Sequence, residues 1–413
     1  MLQSKLFPKT LRETPADADN VSTALLVRGG YIRKVMAGSY TFAHLGWLVM
    51  QRIMQIIREE MNAIDAQEVM MPTLTAKELW ERSGRWEKLK GDMYQFTDPS
   101  ERELGLTMTH EETAVDLLGG QSISYTDFPI AFYHFQNKYR HEPRAKSGLT
   151  RTREFIMKDL YSAHANEADM QAYYERAKQA YLNIFERLGI PALVTLASGG
   201  IFTSNFSHEF QVPCEIGEDT VYACPQGDYA VNKEVIDQTG SVCPNHHKPL
   251  ETKKAVEVGN IFPLGPKFSE DMQVLFTDSD GTQKPFWLAS YGIGPARAMS
   301  VIVETHYDAQ GIVWPKSVAP FAMHLIDLTK TDTEREEAEI VYQKLSEAKI
   351  DVLFDERDIA AGAKFADADL LGIPIRLVIS PKTLATKSIE IKDRGSGTIK
   401  LIPLDQIVTV LAS

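Results

Sequence analysis

The segment Tyr139-Arg140-His141-Glu142 and the stretch Arg151-Thr152-Arg153-Glu154-Phe155-Ile156-Met157-Lys158-Asp159 carry the side chains best suited to handling a nucleotide. When a carboxylic acid is activated with ATP, negative charge builds on the α-phosphoryl oxygens, and a planar guanidinium fork such as that of Arg140 fits them. Residues two apart on an extended chain point to the same side, so Arg140 and Glu142 can meet one ligand. The first would face phosphate and the second a donor edge such as an adenine amino group, with Phe155 able to stack on the base. By composition the same stretch also reads as a solvated, salt-bridged hairpin.

A second candidate is Ala289-Ser290-Tyr291-Gly292-Ile293-Gly294-Pro295-Ala296-Arg297, which runs into Met299, Val301, Ile302 and Glu304 at helical spacing. Glycines ahead of a helix let backbone and ligand approach closely, and Arg297 would stand in the first turn beside bound phosphates. An ordinary strand-to-helix turn has the same pattern. Thr109-His110-Glu111-Glu112 taken alone reads as a capped helix start.

These residues need a scaffold. Leu45, Leu48, Val49, Ile53, Ile56, Ile57, Met61 and Ile64 recur at three and four, which predicts one long amphipathic helix. A short strand-like run from Ala66 follows and stops at Pro72. Ile130 to Tyr139 and Glu154 to Ser162 are the arms of an antiparallel hairpin with Gly148 in its loop, and Ala168 to Leu188 returns to helical spacing. Prolines between Ile312 and Phe321 mark a domain boundary. Beyond it, strands at 323–328, 351–355 and 375–379 alternate with helices at 333–348 and 364–371, a small α/β unit of about 95 residues.

The bulk numbers suit such a protein. At 413 residues, 44% apolar and 24% charged, the chain can fill two or three packed domains. No apolar run reaches the roughly 18 residues of a membrane span, and the stretch Met1 to Pro15 builds no export signal, so a cytoplasmic protein is expected. Cys214, Cys224 and Cys243 are too few for a disulfide framework. A net charge of −12 weakens the case for a nucleic-acid partner without excluding one that binds a local basic cleft.

Taken in order, residues 45 to 72, Arg140-His141-Glu142 and Gly292-Ile293-Gly294 through Arg297 resemble motifs 1, 2 and 3 of the class II aminoacyl-tRNA synthetases. Thr109-His110-Glu111-Glu112 resembles the Thr-x-Glu loop of the prolyl-tRNA synthetases, Arg151 to Phe155 resembles the signature that follows it, and Ser207-His208-Glu209-Phe210-Gln211 the pocket segment before motif 3. Val256 to Phe262, Gly311 to Pro315 and Phe365-Ala366-Asp367 extend the likeness over essentially the whole chain.

The resemblance implies an α/β (α+β) protein: a catalytic domain on an antiparallel sheet, residues 1–318, and an anticodon-binding domain, 319–413. It implies a homodimer that uses ATP with magnesium to join proline to its tRNA. Proline contacts are carried over to Thr109, Glu111, Arg140 and His208. Nucleotide contacts fall to Arg140, Glu142, Arg151, Thr152, Phe155 and Arg297, with Arg140 and Arg297 acting on the reacting phosphate. Proline offers a secondary ammonium with two N–H donors, which a carboxylate and a hydroxyl can satisfy. Arg357 and Lys364 are anticodon candidates, which also read as solvated charges. A synthetase for another small amino acid and a non-charging paralogue are the rival readings, and the intact Arg140, Glu142 and Arg297 disfavour the paralogue.

Several positions depart from the family pattern. Thr107-Met108 and Thr203-Ser204 replace residue pairs at the pocket walls, and Ile359-Ala360-Ala361 replaces a Glu-Arg-Pro sequence beside the anticodon candidates. Only about 40 residues, Gly217 to Val258, stand where many relatives carry a domain that hydrolyses alanyl-tRNA, so uncorrected activation of alanine is expected. Cys224-Pro-Gln-Gly and Cys243-Pro-Asn-His246-His247 are similar to a zinc ribbon of some short relatives, with Gly227 in place of one cysteine. With a fourth ligand unidentified, no bound metal is expected.

Overall fold

The computed structural model describes the chain except Ile201, Ser204, Ala412 and Ser413. The chain divides into two compact units: Met36–Ser39 with Met54–Val301, and Met1–Val35 with Tyr40–Ile53 and the chain from Ile302 onward.

The larger unit is organised by a nine-stranded sheet. In chain order, the elements that matter here are α1 (His44–Ala63), β1 (Gln67–Glu68), α2 (Glu111–Gly119), β2 (Ile130–Tyr139), β3 (Glu154–His164), α3 (Glu167–Arg187), β4 (Leu193–Ser198), β5 (Phe206–Pro213), β6 (Asp219–Ala223), β7 (Ala230–Asn232), β8 (Glu251–Gly265), β9 (Trp287–Ile293) and α4 (Pro295–Thr305). The strand order is β5-β4-β7-β6-β8-β9-β3-β2-β1, and β5 also pairs directly with β8. Pairing is antiparallel except for β1 on β2 and β7 on β4.

Both hairpin arms fall where the sequence places them, in register from Ile130 opposite Ala163 to Tyr139 opposite Glu154. The helix expected over 45–64 is α1, and its stripe Leu45, Val49, Ile53, Ile56, Ile57 and Met61 is buried. The segment expected as a mere connector, 217–258, instead contributes β6, β7 and the start of β8 to the main sheet. Its apolar Val221, Ala223, Ala230, Val231 and Val235 are buried, which is why it folds into that sheet.

Helix α3 covers one face of the sheet. Asn166 caps its start by accepting the Asp169 N–H. Tyr173, Tyr174, Ala177, Tyr181, Ile184 and Phe185 form its buried side, and Tyr174 donates from its hydroxyl to the Ile261 carbonyl at 3.0 Å. Gly259 on β8 makes that approach possible: a Cβ there would lie 3.1 Å from Phe185 and 3.2 Å from Tyr181. Lys158, expected in a basic segment, is fully buried on the same side, with its amine on Tyr181 Oη and the Tyr291 carbonyl.

The smaller unit holds the C-terminal α/β elements: β10 (Met323–Asp327), α5 (Asp332–Glu347), β11 (Val352–Asp355), α6 (Ala361–Leu371), β12 (Ile375–Ile379), β13 (Ser388–Asp393) and β14 (Ile399–Pro403). Its sheet runs β11-β10-β12-β13-β14, parallel across the first three strands and antiparallel beyond. The start of the chain belongs to this unit, although the sequence groups residues 1–318 together. The Phe354 N–H donates to the Met1 carbonyl at 2.8 Å, and the Met1 ammonium to the Val352 carbonyl at 2.8 Å, so the first residues extend the edge at β11.

Gly259→Val should lower stability by about 1–3 kcal/mol, read as a fall in the urea midpoint, because α3 and β8 would have to separate. An unchanged midpoint would contradict this account of the helix–sheet contact.

Candidate active site

On the larger unit, the ends of β2, β3, β8 and β9, the start of α4 and the loops at residues 149–152 and 216–219 enclose a cavity of about 410 Å³. That size falls within the usual range for small-molecule sites. Thr109, Glu111, Arg140, Glu142, Arg151, Thr152, Phe155 and Arg297 all line it, so eight candidates from distant parts of the chain converge.

Arg140 follows β2 directly, and its Nε and Nη2 lean toward the Met108 carbonyl at 3.4 Å. Its guanidinium lies over the Phe155 ring, 5.3 Å from the centroid. Burial and the nearby charge of Arg297 both pull its pKa below the ordinary value. An anion placed between these two arginines would relieve both penalties. Arg297 stands in the first turn of α4, donating to the carbonyls of Thr150 at 3.0 Å and Glu257 at 2.9 Å, with the Glu257 carboxylate 3.2 Å away. Gly292 leaves the space beside Asp159 open: a Cβ there would stand 3.5 Å from that carboxylate, inside the cavity lining.

Glu142 accepts from the Arg144 N–H at 2.9 Å and pairs with Arg151 at 2.9 Å, while Arg151 also reaches Glu218 at 2.6 Å. Burial pushes the Glu142 pKa up, and the Arg151 and Arg144 contacts hold it below the ordinary value all the same.

Thr109 donates from Oγ1 to the Glu111 carboxylate at 2.6 Å, and both residues are buried. Behind them, Arg85 meets Glu111 at 3.2 Å and Glu112 at 3.0 Å. Burial works against the charge of Arg85, and the two carboxylates more than offset it. Its guanidinium is walled by Trp80, Phe202 and Phe268. The floor is a second buried cluster, in which Lys138 Nζ lies 2.5 Å from Asp159 Oδ2 and 3.0 Å from His134 Nε2, with His110 Nδ1 alongside. Burial and the Lys138 charge push the His110 pKa down to about 2, so this imidazole is neutral.

Residues 94–306 match the family described as the tRNA synthetase class II core domain (G, H, P, S and T), and residues 317–413 match the anticodon binding domain. Proline-tRNA ligases of Rickettsia rickettsii (strain Sheila Smith) and Nitrobacter winogradskyi are each 37% identical to this chain, with all of both chains covered. This chain belongs to the prolyl-tRNA synthetase family. Its fold is likewise similar to that of a prolyl-tRNA synthetase from Cryptosporidium parvum solved with halofuginone and AMPPNP. That likeness has a TM-score of 0.79 at 19% identity and covers 95% of this chain and 76% of that one. The Giardia lamblia prolyl-tRNA synthetase solved with prolyl-adenylate gives a TM-score of 0.78 at 18% identity, covering 93% and 75%. The core of the chain is therefore a class II synthetase catalytic fold, followed by an anticodon-binding domain.

Three further residues carried over from the family pattern lie outside this cavity. His208 on β5 is outside the cavity lining: its Nδ1 is 2.9 Å from Tyr174 Oη on α3, because strand alternation turns it to the helix-covered face. Lys364 is buried, donating to the carbonyls of Asp327 at 2.6 Å and Asp355 at 3.2 Å, so it braces the sheet. Arg357 is half-buried and held by Asp355 at 2.7 Å and Asp367 at 2.8 Å. Of the departures at the pocket walls, Thr107 is buried, Met108 supplies the carbonyl beside Arg140, and Thr203 accepts the Asn205 N–H at 3.2 Å; Ser204 lies outside the described residues.

Two residues at or behind the cavity wall were missed. Arg85 stands 26 positions before Glu111 and has no pattern linking the two. Asn260 lines the cavity with a buried Oδ1 that has no hydrogen-bond partner among the described residues. Its position within Val256 to Phe262 was the available signal.

Glu209, next to His208, is pushed up to about 7 by burial and by the Glu257 charge. A raised carboxylate pKa contributes stability below the unfolded value near 4.5, and that contribution is lost as pH rises through 7. Glu209→Gln should therefore stabilise the protein by about 1–3 kcal/mol at pH 8 and much less at pH 5, measured by urea unfolding. An equal effect at both pH values would contradict the assignment.

Proposed function

We propose that this chain is a proline-tRNA ligase: it activates L-proline with ATP and transfers the prolyl group to the 3′ end of its tRNA. The observation that carries the reading is the meeting, in one cavity, of an acidic amine-binding corner at Thr109 and Glu111 with the Arg140–Arg297 pair. The ligases of Rickettsia rickettsii and Nitrobacter winogradskyi, similar over their full length, support it.

In this reading, the proline ammonium donates to the Glu111 carboxylate and to Thr109 Oγ1, with Arg85 stabilising the buried carboxylates from behind. Asn260 Oδ1 offers a further acceptor. A proline carboxylate oxygen attacks the α-phosphorus, forming one P–O bond as the bond to pyrophosphate breaks, and Arg140 takes up the charge that builds on the phosphoryl oxygens. A ribose hydroxyl of the tRNA then attacks the prolyl carbonyl and AMP leaves. Positioning does most of the work, since every group is held before the substrate arrives. Phe155, already under Arg140, forms one side of the base slot, with Glu142, Arg151 and Thr152 around it.

Magnesium would enter with ATP, and the lining carboxylates Glu218, Asp219 and Glu257 are hard oxygen donors of the type it takes. Bound there, it would neutralise phosphate charge. The reading extends to catalysis on residues 1–318, to an anticodon domain on 319–413, and to a homodimer. The exposure of Met70, within the segment that resembles the dimer-forming motif, supports the last of these. A cytoplasmic setting agrees with the unlinked thiols of Cys224 and Cys243. No helix among the described residues is long and apolar enough to cross a membrane. With only about 40 residues from Gly217 to Val258, the reading includes no hydrolysis of alanyl-tRNA by this chain.

ATP–pyrophosphate exchange over a panel of amino acids tests the reading. Proline should stand out; Arg140→Ala should reduce exchange ~100-fold or more, and Glu111→Gln should weaken proline more than ATP. A folded protein that exchanges with no amino acid, or best with another one, would overturn it.

A further inference from the structure

Two turns in the segment between β6 and β8 share one construction. Each opens with Cys-Pro and closes when the cysteine N–H donates to the carbonyl five residues on, Cys224 to Tyr229 at 2.7 Å and Cys243 to Lys248 at 2.8 Å. A second bond returns to each cysteine carbonyl, from the N–H of Gly227 at 2.8 Å and of His247 at 2.9 Å. Both turns reverse through a left-handed residue, Gly227 at φ 80° and His247 at φ 51°.

The turns face each other. The sulfurs of Cys224 and Cys243 and a carboxylate oxygen of Asp228 all lie within 4.8 Å of one another. Both cysteines are buried, 1% and 0% exposed, and they are not joined as a disulfide. From the second turn, His246 Nε2 and Asn245 Nδ2 reach the same Asp228 oxygen at 2.8 and 2.9 Å. A tetrahedral zinc ion holds sulfur at about 2.3 Å and nitrogen or oxygen at about 2.0–2.2 Å, which sets its donors roughly 3–4 Å apart. The cluster has nearly that size and the matching donor chemistry. The sequence gives no fourth ligand because Gly227 occupies the expected cysteine position; the carboxylate comes instead from the next residue, Asp228.

We propose that Cys224, Cys243 and Asp228, with His246 bracing the Asp228 carboxylate from behind, form a structural site for one zinc-class divalent cation. None of the four lines the substrate cavity. From Gly240 to Leu250 the chain has neither helix nor strand, only a bridge between Val242 and Pro249, so a cation would staple this loop to the β6–β7 turn. Strand β6 then runs from beside Cys224 to Asp219 in the cavity lining, so the staple steadies one wall of the active site from its far end.

The test uses the full chain, stripped with chelator under reducing conditions and titrated with cobalt and then zinc. One cobalt per chain should bind with a thiolate-to-cobalt charge-transfer absorption, be displaced by one equivalent of zinc, and raise the unfolding temperature. The double variant Cys224→Ser/Cys243→Ser should lose the band. Asp228→Asn and His246→Gln change exposed or half-exposed side chains and keep the test open if the double variant fails to fold; each should weaken zinc about ten-fold or more. Absence of stoichiometric metal, an unchanged band in a folded double variant, unaltered zinc affinity in both single variants, or a native Cys224–Cys243 disulfide would each overturn the proposal.

Discussion

One buried carboxylate, Asp159, sets the electrostatics of the cleft. Burial alone would push its pKa up, yet Lys138 and His134 hold it well below the ordinary carboxylate range. Burial lowers the pKa of Lys138, and the adjacent Asp159 opposes that shift. A pair of this kind adds little net stability relative to apolar packing, but removing either member would leave the other as an uncompensated interior charge. The pair fixes His110 as a neutral ring, and that ring's backbone N–H, bonded to Tyr161 Oη at 3.0 Å, anchors the loop that carries Thr109 and Glu111. Above the floor, Arg140 is attracted by Asp159 and repelled by Arg297. The cleft is therefore acidic at the amine end and cationic where phosphate would sit.

The elements that hold this arrangement were legible where side-chain periodicity speaks directly. The α1 stripe and the two arms of the β2–β3 hairpin follow from apolar spacing, and Arg140 and Arg297 stood out because arginine at a strand end and after a glycine turn has a stated chemistry. What was hidden depends on three-dimensional choices. Alternation says that His208 and Phe210 point to opposite sides from Glu209, but it does not say which side has the cleft and which has α3. Lys364 read as an anticodon candidate or a solvated charge, and its burial against the carbonyls of Asp327 and Asp355 has no local sequence signal.

Long-range partners were beyond the reach of sequence for the same reason. Arg85 becomes a site residue only once Glu111 and Glu112 are folded back onto it across the loop between them. Asp228 takes the place of a cysteine one position earlier, a one-residue shift that a spacing rule rejects and a turn geometry accepts. The short segment 217–258 likewise looked like a spacer, while its buried Val221, Val231 and Val235 make it part of the sheet that shapes the cavity.

The central claim is that this cleft is complementary to an aminoacyl-adenylate whose amine is that of proline. Calorimetric titration with a non-hydrolysable prolyl-adenylate analogue, beside AMP, proline and the alanyl analogue, tests it most directly. The account predicts that the prolyl analogue binds far more tightly than AMP or proline alone, and that Glu111→Gln erases most of its advantage over AMP. Binding of the prolyl analogue no tighter than AMP would contradict the account, because the acidic corner at Thr109 and Glu111 would then contribute nothing to recognition.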